Sequence, residues 1–592
     1  MLEKAQINFK KVIPALAVLL FFAIFSHAAK ADVLGQDQNF SISSTYDLQS
    51  RNSITATLKS VTEHAYFYVE DNYWNSASST MQDQIINQIN TLASEFNLRI
   101  YPTETQFFGA IRDAGDGKVT VLLSPLVQEA GGYYDTANEY TKEQVAASNA
   151  REMVYLNISQ LSDQRKMDSF LAHELQHLIT FNQKNILRNV NDDTWLNELR
   201  SEYAVTLLGY NDIFDGSNLS YRLNSFLNDP GDSLTEWKNL PADYAEIDMF
   251  GEYVAEHWSP NVIADTIKSP FTGIASLEDA LAKNGFKDSF KDVFNSWLAA
   301  NFLNDTSLNS KFGYSRGGMT NFHIVPSRVL NNLTDDVTFV VSDSIKDWQG
   351  RWYDISQFSP GKNNFLRINF SSPSLASFHV PYIVFKTDGS MTMGTFNPDS
   401  NANVLYLGQI GVDINRVLLM PVKQDKISGF GASETPVTLT FTVDRTASMS
   451  QSTLVTPTSL PTPVVPMTTI TNPGPFLTDG SLVRARGDSK VYLIMGKWKR
   501  HIISSKIFGF YKQFGFDKVQ EVEPSVLTNY QESNLVRYGS SSKVYIVDES
   551  GNKHWLNITY KQFVLSGRSA DSIFPINLAE FNFYRTSFNV TK

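Results

Sequence analysis

Cysteine is absent from all 592 residues. That excludes disulfides and a lipidated N-terminal cysteine, so stability outside a cell must come from core size and bound ions. Histidine is scarce, at nine residues, and a close pair of them is not casual. Basic side chains are in deficit: 50 Lys and Arg against 61 Asp and Glu leave a net charge of −11 and a pI near 5.4. Phosphate recognition needs a basic surface, so this balance argues against nucleic acid as a partner. No stretch beyond the N-terminus is long and apolar enough to span a bilayer. Aromatics, by contrast, are plentiful, with 40 Phe and 25 Tyr to fill cores in a chain long enough for several domains.

The N-terminus reads as an export signal. Lys4, Lys10 and Lys11 accompany an apolar run from Val12 to Phe25, and Ala29-Lys30-Ala31 offers a cut after Ala31. An uncleaved anchor is the other reading. The run is short, contains Pro14 and meets polar His27 and Lys30, which favours cleavage. The expectation is a secreted or cell-surface protein of a bacterium.

Two histidines stand four apart in His173-Glu174-Leu175-Gln176-His177. A helix brings positions i and i+4 to one face. Both imidazoles can then take adjacent corners of one Zn²⁺, while Glu174 beside them reaches a water without ligating the ion. The pattern alone also fits an ordinary polar helix face. Context weighs against that. Met167, Phe170 and Leu171 before it and Leu178 and Ile179 after it give the helix an apolar side, and inward-facing imidazoles are costly unless satisfied. A catalytic zinc needs a third protein ligand and an open position. Beyond His177, the segment Trp195-Leu-Asn-Glu198-Leu-Arg-Ser-Glu202 supplies two carboxylates four apart. They lie on a helix expected from about Trp195 to Leu208, with Asp192, Asp193 and Thr194 at its start. One can be the ligand. The other can accept a hydrogen bond from a ligand imidazole and fix its tautomer, or simply face solvent.

These residues resemble the gluzincin zinc metallopeptidases. Trp195-Leu196-Asn197-Glu198 looks like the W-x-N-E segment of aminopeptidases of that clan. Asn197–Glu202 looks like the N-E-x-x-S-D of thermolysin-like enzymes, with Glu202 where they carry Asp. The wider similarity is to the hyicolysin-type peptidases, through GGYY at Gly131–Tyr134, REMVYLN at Arg151–Asn157, HELQHLITFNQK at His173–Lys184 and FNSWLAANFLND at Phe294–Asp305. It covers roughly residues 60–310. A Gly often follows the ligand glutamate in those relatives; here it is Leu199.

The resemblance implies one catalytic zinc held by His173, His177 and Glu198, with Glu202 accepting from a ligand imidazole, and a peptide or protein as substrate. Glu174 would take the proton from water and later deliver it to the leaving amine. Relatives stabilise the oxyanion with a Tyr or His from the helical half. Tyr244, Tyr253 and His257 are the candidates here, Tyr244 near the helix start being favoured; each taken alone reads more readily as a packing residue than as a catalytic one. An edge strand beside the cleft would bind the substrate backbone in extended form. Met153–Leu156 is the candidate, which places Met153, Val154 and Tyr155 against the substrate.

The expected architecture is multidomain α+β. After the signal (1–31), the segment 32–60 is polar and reads as loosely ordered. A zincin (thermolysin-like) catalytic domain over 61–315 is implied by the resemblance, with a sheet half, the metal helix and a helical half. Ala65–Val69 and Val119–Leu123 are strand-like, whereas Ile85, Ile89, Leu92 and Phe96, and later Phe290, Val293, Trp297 and Ala300, follow helical spacing. Asp113 and Asp116 in RDAGDGK partly match a Ca²⁺ loop; an ordinary glycine turn is the plainer reading. Over 320–445, short strands with period-two alternation, such as Leu366, Ile368 and Phe370 or Val437, Leu439, Phe441 and Val443, suggest a β-sandwich accessory domain. Residues 446–475 form a Pro/Thr-rich linker, extended and unable to bury a core.

The last segment, 476–592, is a small β-rich module made by duplication. Leu482-Val483-Arg484 recurs as Leu535-Val536-Arg537 at an offset of 53, and YKQF occurs at 511 and 560. Its mix of aromatic and basic residues suits a cell wall or polysaccharide surface, or a plain packed domain with no ligand. Two functions remain open: a secreted zinc endopeptidase, and an inactive surface adhesion or polysaccharide-binding protein on a peptidase fold. Glu174 beside a full ligand set favours the enzyme, because a binder needs no general base.

Overall fold

The computed structural model describes residues 31–448 apart from 114, 321 and 360. It also describes 477–590 apart from 478–479, 487, 489, 496–497, 512–513, 529, 539–542, 549, 560–561, 564–567, 569–571 and 588. The expected signal, up to residue 30, and the expected linker, from residue 449, lie outside the described residues. The chain forms two compact units, one reaching to Gln183 and one beginning at Lys184.

The first unit is built on a six-stranded sheet. Its strands are β1 (Asp37–Ser41), β2 (Ser53–Val61), β3 (Ala65–Glu70), β4 (Val119–Ser124), β5 (Gly132–Tyr134) and β6 (Met153–Asn157), in the order β1-β2-β3-β4-β6-β5. The centre, β3-β4-β6, is parallel. Parallel strands are covered on both faces, which is why AYFYVE, VTVLLS and MVYLN are buried at every position. The helices are α1 (Asp71–Ser76), α2 (Ser79–Glu95), α3 (Tyr101–Phe108) and α4 (Gln164–Thr180). Ser78 caps α2 by accepting from the Met81 amide, and Ile85, Ile89 and Leu92 form its buried face.

Two expectations are corrected here. Residues 32–60 are not loosely ordered, because they contribute β1 and β2, two antiparallel strands of the sheet. Ile54, Ala56 and Leu58 alternate inward in β2, a period-two signal diluted by the small Ala and the flanking polar residues. Met153–Leu156 is not an edge strand. It lies between β4 and β5 and pairs with both, whereas β5 is at the sheet's edge.

The second unit opens with helices α5 (Thr194–Leu207), α6 (Asn218–Asn228), α7 (Pro241–His257), α8 (Pro260–Lys268), α9 (Gly273–Lys283) and α10 (Phe290–Leu303). Aromatics fill its core: Phe250 meets Trp297 edge-on at 5.3 Å, and Trp348 packs on Phe290 at 4.6 Å. Two sheets follow and share one apolar core. The first runs Val404–Leu407, Phe365–Ser371, Val437–Thr446, Phe339–Ile345. The second runs Met391–Phe396, Phe378–Lys386, Ile414–Leu419, Tyr353–Ser356, Arg328–Asn331. Leu366, Ile368 and Phe370 point inward and their neighbours outward.

The C-terminal segment holds two five-stranded sheets of identical order. In the first, Leu482–Ala485 pairs antiparallel with Val491–Met495 and parallel with Val519–Val522; in the second, Leu535–Tyr538 does the same with Tyr545–Val547 and Ile573–Ile576. No helix among the described residues is long and apolar enough to cross a membrane.

Candidate metal centre

Helix α4 is fixed at its start by Asp163, whose carboxylate accepts from the Lys166 amide, and along its length by buried Met167, Leu171, Leu175 and Leu178. That apolar side leaves Glu174 and His177 buried and His173 partly so. The two imidazoles lie edge to face with ring centres 5.0 Å apart. On α5, buried Trp195, Leu196 and Leu199 set the helix so that Glu198 and Glu202 share a face.

His173, His177 and Glu198 each offer one ligand atom, and the three atoms lie within 4.8 Å of one another. Two imidazole nitrogens and a carboxylate oxygen converging in this way are the donor set of a zinc with one open position. Among the described residues no other group of three His, Cys, Asp or Glu converges so closely. Asp113 accepts from the amides of Gly115 and Gly117, and Asp116 from that of Lys118, so these carboxylates cap their own turn.

Glu202 is held by Arg222 and Asn218. Arg222 on α6 donates Nη2 to Oε1 at 2.7 Å and Nε to Oε2 at 2.9 Å, and Asn218 donates to Oε2 at 2.6 Å. The fork pins α6 to α5 one turn from Glu198. Glu202 drives the Arg222 pKa further up, although burial alone would lower it. The Arg222 guanidinium also lies 4.6 Å over the Tyr244 ring. Tyr244 itself donates to Asn239. Tyr253 donates to the Lys311 carbonyl and His257 to the Gly313 carbonyl, which commits both to packing. Leu199, where relatives often carry Gly, is accommodated by Gly251 on α7: a Cβ there would meet the Leu199 side chain at 3.1 Å.

Around α4, the first unit adds groups that sequence reasoning missed. Glu104 on α3 is fully buried, with neither carboxylate oxygen hydrogen-bonded; burial raises its pKa well above the usual range and the field of nearby His173 lowers it. The GGYY segment reads as a fit for α4. A Cβ on Gly131 would meet the Phe170 ring at 2.4 Å, and one on Gly132 would meet the Tyr155 carbonyl at 2.8 Å and Glu174 Cγ at 3.1 Å. The two glycines therefore allow the edge strand β5 to lie directly against Glu174. Tyr134 then stacks near-parallel on His177, with ring centres 5.9 Å apart. A Gly pair before a strand is the signal that could have located this edge.

Comparison with known proteins bears on this site. The chain is 26% identical over 259 residues, 39% of its length, to the neutral metalloprotease ShpI of Staphylococcus hyicus, and the match covers 54% of that protein. It thus spans about half the length of the curated relative it matches. No family model matches. Two solved structures give weak likenesses. The Aeromonas hydrophila periplasmic lysozyme inhibitor PliG has a TM-score of 0.14 at 8% identity, over 20% of this chain and 97% of its own. A family GH115 4-O-methyl-α-glucuronidase has 0.11 at 10%, over 56% and 53%. Neither carries weight for the fold or the site. That relative is named a metalloprotease, and the His173, His177 and Glu198 group of this chain could hold a metal ion.

Proposed function

We propose that this chain is a secreted zinc-dependent endopeptidase of the gluzincin type, with a thermolysin-like catalytic domain over 61–315 and accessory domains beyond it. The observation that carries the reading is the convergence of His173, His177 and Glu198 within 4.8 Å. A zinc ion held there would supply the Lewis acidity that polarises a scissile carbonyl and acidifies water.

The protein's own residues do the rest. Glu174, buried between α4 and β5, takes the proton from the attacking water and returns it to the leaving amine. Exclusion of bulk water around it strengthens that exchange. The free edge of β5, rather than Met153–Tyr155, is the site at which an extended peptide can add as a further strand, its backbone hydrogen bonds setting the register of the scissile bond. Tyr244, placed beside Arg222 and Glu202, is the proposed donor to the oxyanion. The module at 476–592 is proposed to tether the enzyme to a cell wall or polysaccharide surface.

The test is zinc analysis with casein cleavage on the full chain. The expected result is about one zinc per chain, and loss of cleavage in Glu174→Gln with the zinc retained. Cleavage that persists in Glu174→Gln, or a purified chain that binds no zinc, overturns the proposal. Tyr244→Phe is expected to lower kcat by about 10²-fold with little change in KM.

A further inference from the structure

Behind His177 lies a pair of buried acids that the mechanism above does not use. Glu139 ends the short 3₁₀ turn Thr136–Glu139, and Glu152 immediately precedes β6. Both are almost fully buried, at 3% and 2% exposure. A single guanidinium, that of Arg112, faces both acids, and Glu139 Oε2 and Glu152 Oε2 are buried without a hydrogen-bond partner.

The other groups facing the pair set the charge balance. Arg112 donates Nε to Glu152 Oε1 at 2.7 Å and places Nη2 3.2 Å from Glu139 Oε2. Asp113, on the neighbouring turn, adds negative field at Glu152. One proton, two carboxyls and one guanidinium make a neutral buried cluster; a second buried negative charge would have no counter-ion. The remaining contact leads to the metal centre. The Tyr134 hydroxyl donates to Glu139 Oε1 at 3.1 Å, and the Tyr134 ring is the one stacked on His177.

We propose that Glu139 and Glu152 share a single proton, and that this protonated pair, acting through the Tyr134 hydroxyl, holds the His177 ring in its ligating orientation. Tyr134, Glu139 and Glu152 are positioning residues; none touches substrate. The inference rests on the metal-site reading given above. Burial and the neighbouring Glu152 raise the Glu139 pKa to about 9, so the shared proton is retained through neutrality and released in mild alkali. Release leaves two anions in contact across a dry interior. Glu139 must then move, and the tyrosine anchored on it moves too.

The experiment is zinc affinity of the full chain, by competition with a chromogenic chelator, from pH 7 to 10. Each variant is read as a ratio to wild type in the same buffer, so that chelator and zinc hydrolysis cancel. Glu139→Gln keeps the Tyr134 contact, because its carbonyl can accept from that hydroxyl, but it has no proton to lose. Its affinity relative to wild type is expected to rise about tenfold between pH 8 and 10. Tyr134→Phe is expected to bind zinc about tenfold more weakly at pH 7.5 and to lose the alkaline dependence.

Ratios that stay flat with pH in Glu139→Gln overturn the proposal, as does a Tyr134→Phe affinity equal to wild type. A purely structural pair would instead shift the melting temperature of the metal-free chain and leave the zinc ratios unchanged. Wild type that binds no zinc at any pH brings down the metal-site reading as well. Flat ratios with tight wild-type binding bring down only the proton-sharing pair.

Discussion

Glu202 and Glu246, both in the helical half of the second unit, meet burial in opposite ways. Glu202 is forked to Arg222. Removing it in Glu202→Ala takes away both bonds of the partly buried Arg222 fork, which costs about 1.5–3 kcal/mol. The melting temperature should fall, whereas Glu198→Ala should lose zinc with the fold intact. Zinc content beside thermal unfolding separates the two, and greater zinc loss in Glu202→Ala than in Glu198→Ala would reverse the ligand assignment.

Glu246 on α7 is fully buried, and neither of its oxygens is hydrogen-bonded. Burial first, then Asp232, Asp229 and Asp243, raise its pKa well above 4.5, against the opposing field of Arg351. The unfolded chain releases that proton above about 4.5, the native state does not, and so the native state loses stability as pH rises. Glu246→Gln is therefore expected to be stabilising, with a gain in melting temperature that is small at pH 5 and larger at pH 8. A gain independent of pH would contradict the assignment. The His-Glu-His spacing was legible in the sequence because a helix turns periodicity directly into a shared face. The partner of Glu202 was not, because Arg222 lies on another helix and is brought close only by the packing of α6 on α5.

At the scale of elements, the same contrast separates α4 from β5. A helix satisfies its own backbone, so HELQH with apolar flanks defines α4 without reference to anything else. Which strand ends a sheet depends instead on how the chain crosses over, and no local pattern in Met153–Leu156 or Gly131–Tyr134 encodes that. The clue was steric: two adjacent glycines where side chains would strike Phe170 and Glu174. The N-terminal strands were missed for a related reason, since β2 carries only Ile54, Ala56 and Leu58 as its inward set. Gly132→Ala tests the role of β5. The added methyl meets the Tyr155 carbonyl at 2.8 Å, a backbone atom that cannot step aside, so β5 must shift away from β6. The expected result is a fall in kcat/KM of about 10–10²-fold with zinc content unchanged. Unaltered kinetics would remove β5 from the substrate site.

At the scale of the whole molecule, the duplication legible at an offset of 53 residues becomes two sheets with the same strand order. What the repeat pattern did not give is their dependence on each other. One core cluster takes Leu482, Ile502, Ile507 and Phe508 from the first repeat and Val536, Val547, Phe574 and Ile576 from the second. Arg500 of the first repeat reaches Glu580 of the second at 2.6 Å, and Tyr511 donates to the same carboxylate at 2.5 Å. Glu580 is fully buried, so neither repeat can satisfy this pair alone. Deleting 534–592 should therefore expose the first repeat's apolar face and strand Arg500, a buried charge worth about 3–5 kcal/mol when uncompensated. The remaining repeat is expected to be cut rapidly by trypsin, while cleavage of a short peptide by His173, Glu174 and His177 persists and retention of the enzyme on cells falls. A truncated chain that resists trypsin in its remaining repeat would show that each repeat folds on its own. Lost peptide cleavage would tie the C-terminal module to catalysis rather than to anchoring.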